Sequence, residues 1–417
     1  MRGRLSAMTL AVVAATAAIT APATGAAAAE DESIDYHQWT SADFSAGELA
    51  GVTAGPEGVR IGTPIGTVDR TEAALGTTRT YEYGQWTSPG FEPGFDASEL
   101  IASWNAATPP QTWIQVEAKA KTAAGADTSW YILGQWADGD GEVLRTSVDG
   151  QDDANAAVSV DTLTAKPGVA LRSYQLRVSL YREVGTEVTP TLTTAGAMTS
   201  QVPARSEVQV SPPGPATGKE LPVPRHSQNI HAGKYPEYGG GGEAWCSPTS
   251  TQMVVEFWGK GPSEEELSWI PGDYVDRTIP HAARYTYDHA YDGTGNWPFN
   301  TAYAARYGLK GHITRLHSLT ELESYIDRGV PVITSQSFLE SELDGAGYGT
   351  AGHIMVVVGF TENGDVIAND PASSSNEAVR NVYPRAQFET IWQRTKRIDE
   401  NGAEASGPGG IAYIIEP

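Results

Sequence analysis

The chain has 417 residues, enough for two or three domains at roughly 150 residues each. Lys+Arg 28 against Asp+Glu 51 gives a formal charge of −23, which excludes an electrostatic nucleic-acid binder and a chain drawn to anionic lipid, while 40% hydrophobic residues and 11 Trp exclude a disordered acidic tail. The single cysteine, Cys246, excludes an intramolecular disulfide framework and any multi-thiolate metal site.

Residues 1–29 read as a cleaved Sec-type signal peptide: Arg2 and Arg4 come first, an apolar stretch covers 8–19, and the small run Ala26 to Ala29 ends it. About a dozen apolar residues fall short of the ~20 needed to span a bilayer, and Arg2 and Arg4 are not adjacent, which speaks against twin-arginine export. The expectation is a secreted mature chain, without a membrane anchor, that starts near Glu30.

Residues 35–202 alternate with period two. Ile114, Val116, Ala118 and Ala120 are separated by Gln115, Glu117 and Lys119, and Leu176, Val178 and Leu180 by Arg177 and Ser179. Such runs, divided by Gly, Pro and Asp turns, predict half-buried antiparallel strands and an all-β sandwich of jelly-roll-like type, placed here as an accessory domain. The triplet Gly84-Gln85-Trp86 recurs as Gly134-Gln135-Trp136 and hints at two related strands. Six tryptophans lie in this half (Trp39, Trp86, Trp104, Trp113, Trp130 and Trp136). Core packing is the favoured reading, because tryptophan normally buries most of its surface; an exposed platform would make a cell-wall glycan a candidate partner.

Between Pro203 and Pro224 six prolines fall in 22 positions, so residues 203–221 are expected to be an extended linker. Residues 222–417 then mix helix and strand signals. A helix is expected over 249–258, stopped by Gly259; Ser263 with Glu266 and Thr320 with Glu323 predict two further helix starts through capping boxes, and Asn300 a fourth. Strands are expected at 330–338, 353–360, 365–370 and 410–416. Helices first and an antiparallel sheet later make this domain α+β.

Cys246 follows the run GGGGEAW and precedes the first helix, with Pro248 in its opening turn. A thiol at a helix N-terminus meets free N–H groups and the positive end of the dipole, which favour the thiolate and suit a nucleophile. An exported chain that keeps one unpaired thiol accepts an oxidation risk, which weakens the alternative of an inert buried cysteine. His353 opens one strand and Asp370 closes the next. If the connecting turn centres on Thr361-Glu362, His353 stands directly opposite Asp370; if it centres on Asn363-Gly364, the two share a face but lie about 13 Å apart. The first register is expected. Asp370 then orients His353, which takes the proton of Cys246, and Gln228 in VPRHSQ donates its side-chain amide to a developing oxyanion beside the Cys246 N–H. The other histidines show no zinc spacing, and the glycine-rich segment 292–300 lacks the lysine of a phosphate loop and is read as a cleft wall. No metal or cofactor is expected.

At VPRHSQ, AWCSPTSTQMVVEFWG, GHIMVVVGF and VIANDPAS the second half resembles the C39-like cysteine peptidases of the papain-like superfamily, over about residues 220–417. The resemblance implies a papain-like fold, Cys246 as nucleophile, His353 as general base and acid, Asp370 as orienting group and Gln228 as oxyanion donor. Two departures stand out. Cys246-Ser247-Pro248 replaces the frequent Cys-Gly-Pro, and the chain carries no transporter of the kind fused to bacteriocin-processing members, so a free secreted peptidase acting on a peptide or protein is the closer implication. No family is recognised in the first half. The alternatives are a papain-like acyl transferase or cell-wall amidase, and a non-catalytic wall or carbohydrate-binding protein; the first half is also a candidate inhibitory prodomain.

Overall fold

The computed structural model describes residues 33–417; the expected signal segment 1–29 lies outside the described residues. The period-two runs of the first half pair as their pattern requires. Leu176, Val178 and Leu180 on strand Leu171–Glu183 stand opposite Ala118, Val116 and Ile114 on strand Thr112–Thr122, and all six are buried. Between them Arg177 faces Glu117 in a two-pronged ion pair on the other face.

Two antiparallel sheets result. One runs Ala156–Ser159, Thr162–Ala165, Glu99–Ala107, Thr191–Gln201, Gly58–Ile61, Val52–Gly55, with Ser33–Thr40 also on Thr191–Gln201. The other runs Glu48–Ala50, Thr77–Thr87, Leu171–Glu183, Thr112–Thr122, Tyr131–Trp136, with Gly66–Glu72 also on Thr77–Thr87. The two Gly-Gln-Trp triplets both fall on strands of this second sheet. Trp39, Trp86, Trp104, Trp113 and Trp136 are buried, and Trp130 is half-buried beneath the guanidinium of Arg177, 4.3 Å from its ring centre.

The proline-rich stretch is extended, and it is tied down. The N–H groups of Gly214 and Ala216 donate to Glu323, whose buried carboxylate also pairs with Arg385 at 2.7 Å, and Ser211 N–H donates to Glu389. This strap then takes a strand's place. Leu221 N–H donates to Val358 O and Phe360 N–H to Lys219 O, both at 2.8 Å.

The second half carries a six-stranded antiparallel sheet in the order Lys310–Arg315, Ile411–Glu416, Val332–Phe338, Thr350–Phe360, Val366–Asn369, Arg380–Tyr383. Around it lie helices α1 (Cys246–Phe257), α2 (Thr278–Thr286), α3 (Trp297–Ala305), α4 (Leu319–Asp327) and α5 (Arg385–Gln393). The three later helix starts differ from expectation. The Ser263–Glu266 capping box forms, but the chain makes only a turn before Pro271 and no α-helix follows. Helix α4 is capped by Ser318, which accepts the Glu321 N–H, rather than by Thr320. Helix α3 begins earlier than Asn300, with Asn296 as its cap and Pro298 in its first turn.

The two halves share their core. Phe299 of α3 meets Trp104 and Trp136 of the sheets edge-on, at 6.0 and 5.5 Å between ring centres. Gly134 permits this approach, since a Cβ there would lie 2.6 Å from the Trp104 ring. The Asn105 side chain pairs with both backbone groups of Gly311, and Ser103 Oγ accepts the Ile313 N–H.

Candidate active site

Helix α1 starts at Cys246, three residues earlier than its pattern indicates. The chain reaches it through Gly239 to Gly242, four consecutive residues with positive φ (86°, 79°, 67°, 56°), a path that favours glycine. At Gly241 a Cβ would also lie 2.0 Å from His231 O. No side chain caps the N-terminus of α1, which continues directly from the turn Gly242–Trp245. Residues Ser247 to Val255 are all buried, and Ser250 Oγ donates to Ile354 O, which fixes the helix start against the residue next to His353.

His353 and Asp370 meet: Nε2 to Oδ1 is 2.8 Å, with both side chains almost wholly buried. Neither register considered from sequence is the observed one. The loop is Glu362-Asn363-Gly364, closed by Thr361 N–H to Asp365 O and Gly364 N–H to Thr361 O, with Gly364 at φ 84°. Near this loop Phe360 faces Val366 and Gly359 faces Ile367; beyond a bulge at Val358, Val357 faces Ala368 and Val356 faces Asn369. Continued unbulged, the pairing of Phe360 with Val366 would put Asp370 on the face away from His353. The extra residue at Val358 restores the common face with a stagger of two residues, a diagonal that two side chains can bridge.

Asp370 accepts four hydrogen bonds. Oδ1 takes His353 and the Ala372 N–H (2.9 Å), and Oδ2 takes the hydroxyls of Tyr348 (2.9 Å) and Tyr383 (2.6 Å). Burial pushes its carboxyl upward, but the imidazole and these donors outweigh burial and hold it below the ordinary carboxylate range. For His353, burial works against the charged form, while Asp370 first and the nearby Cys246 second outweigh it and raise the imidazole well above its ordinary value. With Nε2 committed to Asp370, Nδ1 is the nitrogen left for Cys246. The Tyr348 ring stands edge-on to the imidazole at 5.6 Å and closes its outer side.

Gln228 is 1% exposed, and its backbone is tied on both sides of the site: its N–H donates to Pro371 O, next to Asp370, and its carbonyl accepts the Gly242 N–H ahead of Cys246. Its side-chain Oε1 is buried without a hydrogen-bond partner. Three partners escaped the sequence reading: Tyr348, Tyr383 and Tyr413, the last bonded to Ser247 Oγ at 3.0 Å. Each comes from a distant segment, and no spacing rule links an isolated tyrosine to a carboxylate 13 or 22 residues away. Among the described residues, no group of three or more His, Cys, Asp or Glu is placed to hold a metal ion.

Residues 220–400 match the Peptidase_C39 like family, and residues 35–200 match the Peptidase C39 N-terminal domain. The chain resembles the C39-like peptidases over both halves. The first half, in which no family was legible from motifs, is thus similar to a domain that accompanies such peptidases. A crystal structure of a C39-like peptidase from Bacillus anthracis is similar at 17% identity and a TM-score of 0.30, over 47% of this chain and 96% of that one. A carbohydrate-binding module of the beta-sandwich superfamily is similar at 14% identity and a TM-score of 0.14, over 38% and 58%. No curated protein matches the chain. Peptidase-type function is the coarse conclusion for the C39-like half, and no helix of the described residues is long and apolar enough to cross a membrane.

Proposed function

We propose that the protein is an exported cysteine peptidase, with residues 222–417 as a papain-like α+β catalytic domain, 35–202 as its accessory domain and 203–221 joining them. The observation that carries this reading is the imidazole of His353, bonded through Nε2 to Asp370 with Nδ1 left over, beside a helix α1 that begins at Cys246 and is bonded through Ser250 to Ile354, the residue next to His353. Export is supported by the leader-like composition of residues 1–29.

His353 takes the thiol proton and becomes an imidazolium held by Asp370. The Cys246 sulfur forms a bond to the scissile carbonyl carbon, whose oxygen gains the charge and meets the Cys246 N–H and the Gln228 side-chain amide. Collapse returns the carbonyl, breaks the C–N bond and passes the imidazolium proton to the departing amine. Water, deprotonated by the same imidazole, then attacks the thioester and releases the acid and the thiol. Cleavage of a peptide library tests this. Wild type is expected to cleave, and Cys246→Ala, a change at a partly exposed position, to stay folded and inert. Cleavage by the folded Ala variant would overturn the reading.

A further inference from the structure

The loop 288–297 is built with more care than a passive cleft wall requires. Asp288 at its root is fully buried. Its Oδ1 accepts the N–H groups of Ala290 (3.1 Å), Tyr291 (3.2 Å) and, from the first half of the chain, Ser147 (2.9 Å), and its Oδ2 accepts Asn296 Nδ2 (2.9 Å). Asp288 and Gly293 close the loop backbone to backbone. At the far end the Trp297 N–H donates to Asp161 Oδ2 (2.8 Å), on the hairpin joining Ala156–Ser159 to Thr162–Ala165. In the middle, Thr294 Oγ1 donates to Ala244 O, two residues before Cys246. The first half of the chain thus grips both ends of a loop whose centre is tied to the turn that carries the thiol.

What this loop holds up is Tyr291. Its ring lies over Gly293 and Gly295, where added Cβ atoms would come within 2.9 Å of the ring and 3.3 Å of the hydroxyl, and the residue is 47% exposed. Burial of its inner side and the neighbouring Asp161, Cys246 and Asp288 keep the hydroxyl above the ordinary tyrosine value, so the ring is neutral. Asp292 beside it is exposed. An aromatic face in such a field attracts a cation and repels a carboxylate. We propose that Tyr291 is a specificity-determining residue of the cleft, its ring receiving a lysine or arginine side chain of the substrate next to the bond attacked by Cys246. The proposal rests on the peptidase reading above.

The test uses the full chain and three peptidyl acyloxymethyl ketones that carry Lys, Leu or Glu beside the electrophile, with iodoacetamide as a small thiol probe. Rates of Cys246 modification are followed by mass spectrometry. Wild type is expected to react in the order Lys, Leu, Glu. The Lys-to-Glu ratio is expected to fall on the order of tenfold in Tyr291→Ala and to be kept in Tyr291→Phe, and taking the ratio within each variant cancels changes in thiol reactivity. Tyr291 is half-exposed, so folding is not at stake. An unchanged ratio in Tyr291→Ala, or a wild-type preference for Glu, overturns the role of Tyr291 and leaves the peptidase standing. Iodoacetamide labelling with no reaction of any peptidyl probe overturns both.

Discussion

Asp370→Asn separates the charge of the orienting group from its geometry. The Asn amide fits the site as observed: its oxygen toward His353 Nε2 and the Ala372 N–H, its NH2 toward the hydroxyls of Tyr348 and Tyr383, which turn from donating to accepting. His353 therefore keeps the tautomer that leaves Nδ1 free for Cys246, and only the charge is lost. An opposite charge at contact distance is worth about 1–3 pKa units, or roughly 1.4–4 kcal/mol of imidazolium stabilisation. In the wild type the imidazolium persists to about 10. Activity should therefore fall as pH rises through that value, when the leaving amine loses its acid. In the variant the alkaline limb should move down by about 1–3 units, with activity below it largely retained. The assay is kcat/KM on a fluorogenic peptide from pH 5 to 11. A limb that stays at its wild-type position in a folded Asp370→Asn protein would refute the assignment of imidazolium stabilisation to Asp370.

Three further outcomes follow from the scaffold. Gly359→Ala drives a Cβ to 2.2 Å from Lys219 O, against the strap that pairs with the bulge; it should cost about 1–3 kcal/mol in chemical denaturation and lower activity by disturbing the His353–Asp370 diagonal, and wild-type values of both would count against the strap's part in setting the register. Glu323→Gln leaves the buried Arg385 guanidinium without its counter-charge, and a loss of about 3 kcal/mol is expected; a change in Tm of under a degree would contradict the buried pairing. His226, caught between Glu256 (2.7 Å) and Asp276 (3.4 Å), is raised to about 9 because these carboxylates overcome its burial. Its folded value lies above the unfolded one near 6.5, so its contribution is whole below about pH 6.5 and disappears as pH climbs through about 9. Denaturation midpoints from pH 6 to 10 should show that decline in wild type and a flatter profile in His226→Gln.

The sequence pattern reached the elements whose neighbours are fixed by period alone. Leu176, Val178 and Leu180 find Ala118, Val116 and Ile114 because alternation leaves one buried face to match. The place of Cys246 at a helix start was legible for a similar reason: a glycine run before a helix start constrains one residue, and Cys246 occupies it. Helix α2 and strand Lys310–Arg315 were missed. The Thr278–Thr286 stretch is interrupted by Pro280, and Lys310–Arg315 carries Gly311, whose place is explained by Thr301 of α3, whose carbonyl a Cβ there would approach to 2.6 Å.

The His353–Asp370 pair shows where local reading stops. Side-chain parity along the hairpin is decided by one unpaired residue, Val358, and nothing in HIMVVVGF marks that valine as different from its neighbours. What flanks it on the other edge of the strand lies far off in sequence. Strand Val332–Phe338 ends its pairing at Val357, so the carbonyl of Val358 and the N–H of Phe360 need other partners, and the strap supplies them through Leu221 and Lys219. Gly359 sits between, at a point where any side chain would strike the strap. The proline-rich segment is therefore part of the apparatus that aims a carboxylate at an imidazole, with Glu323, Glu389 and Arg385 buried beneath it to hold it there. A stretch whose composition suggests only a spacer acquires this role through backbone hydrogen bonds, which no side-chain pattern encodes.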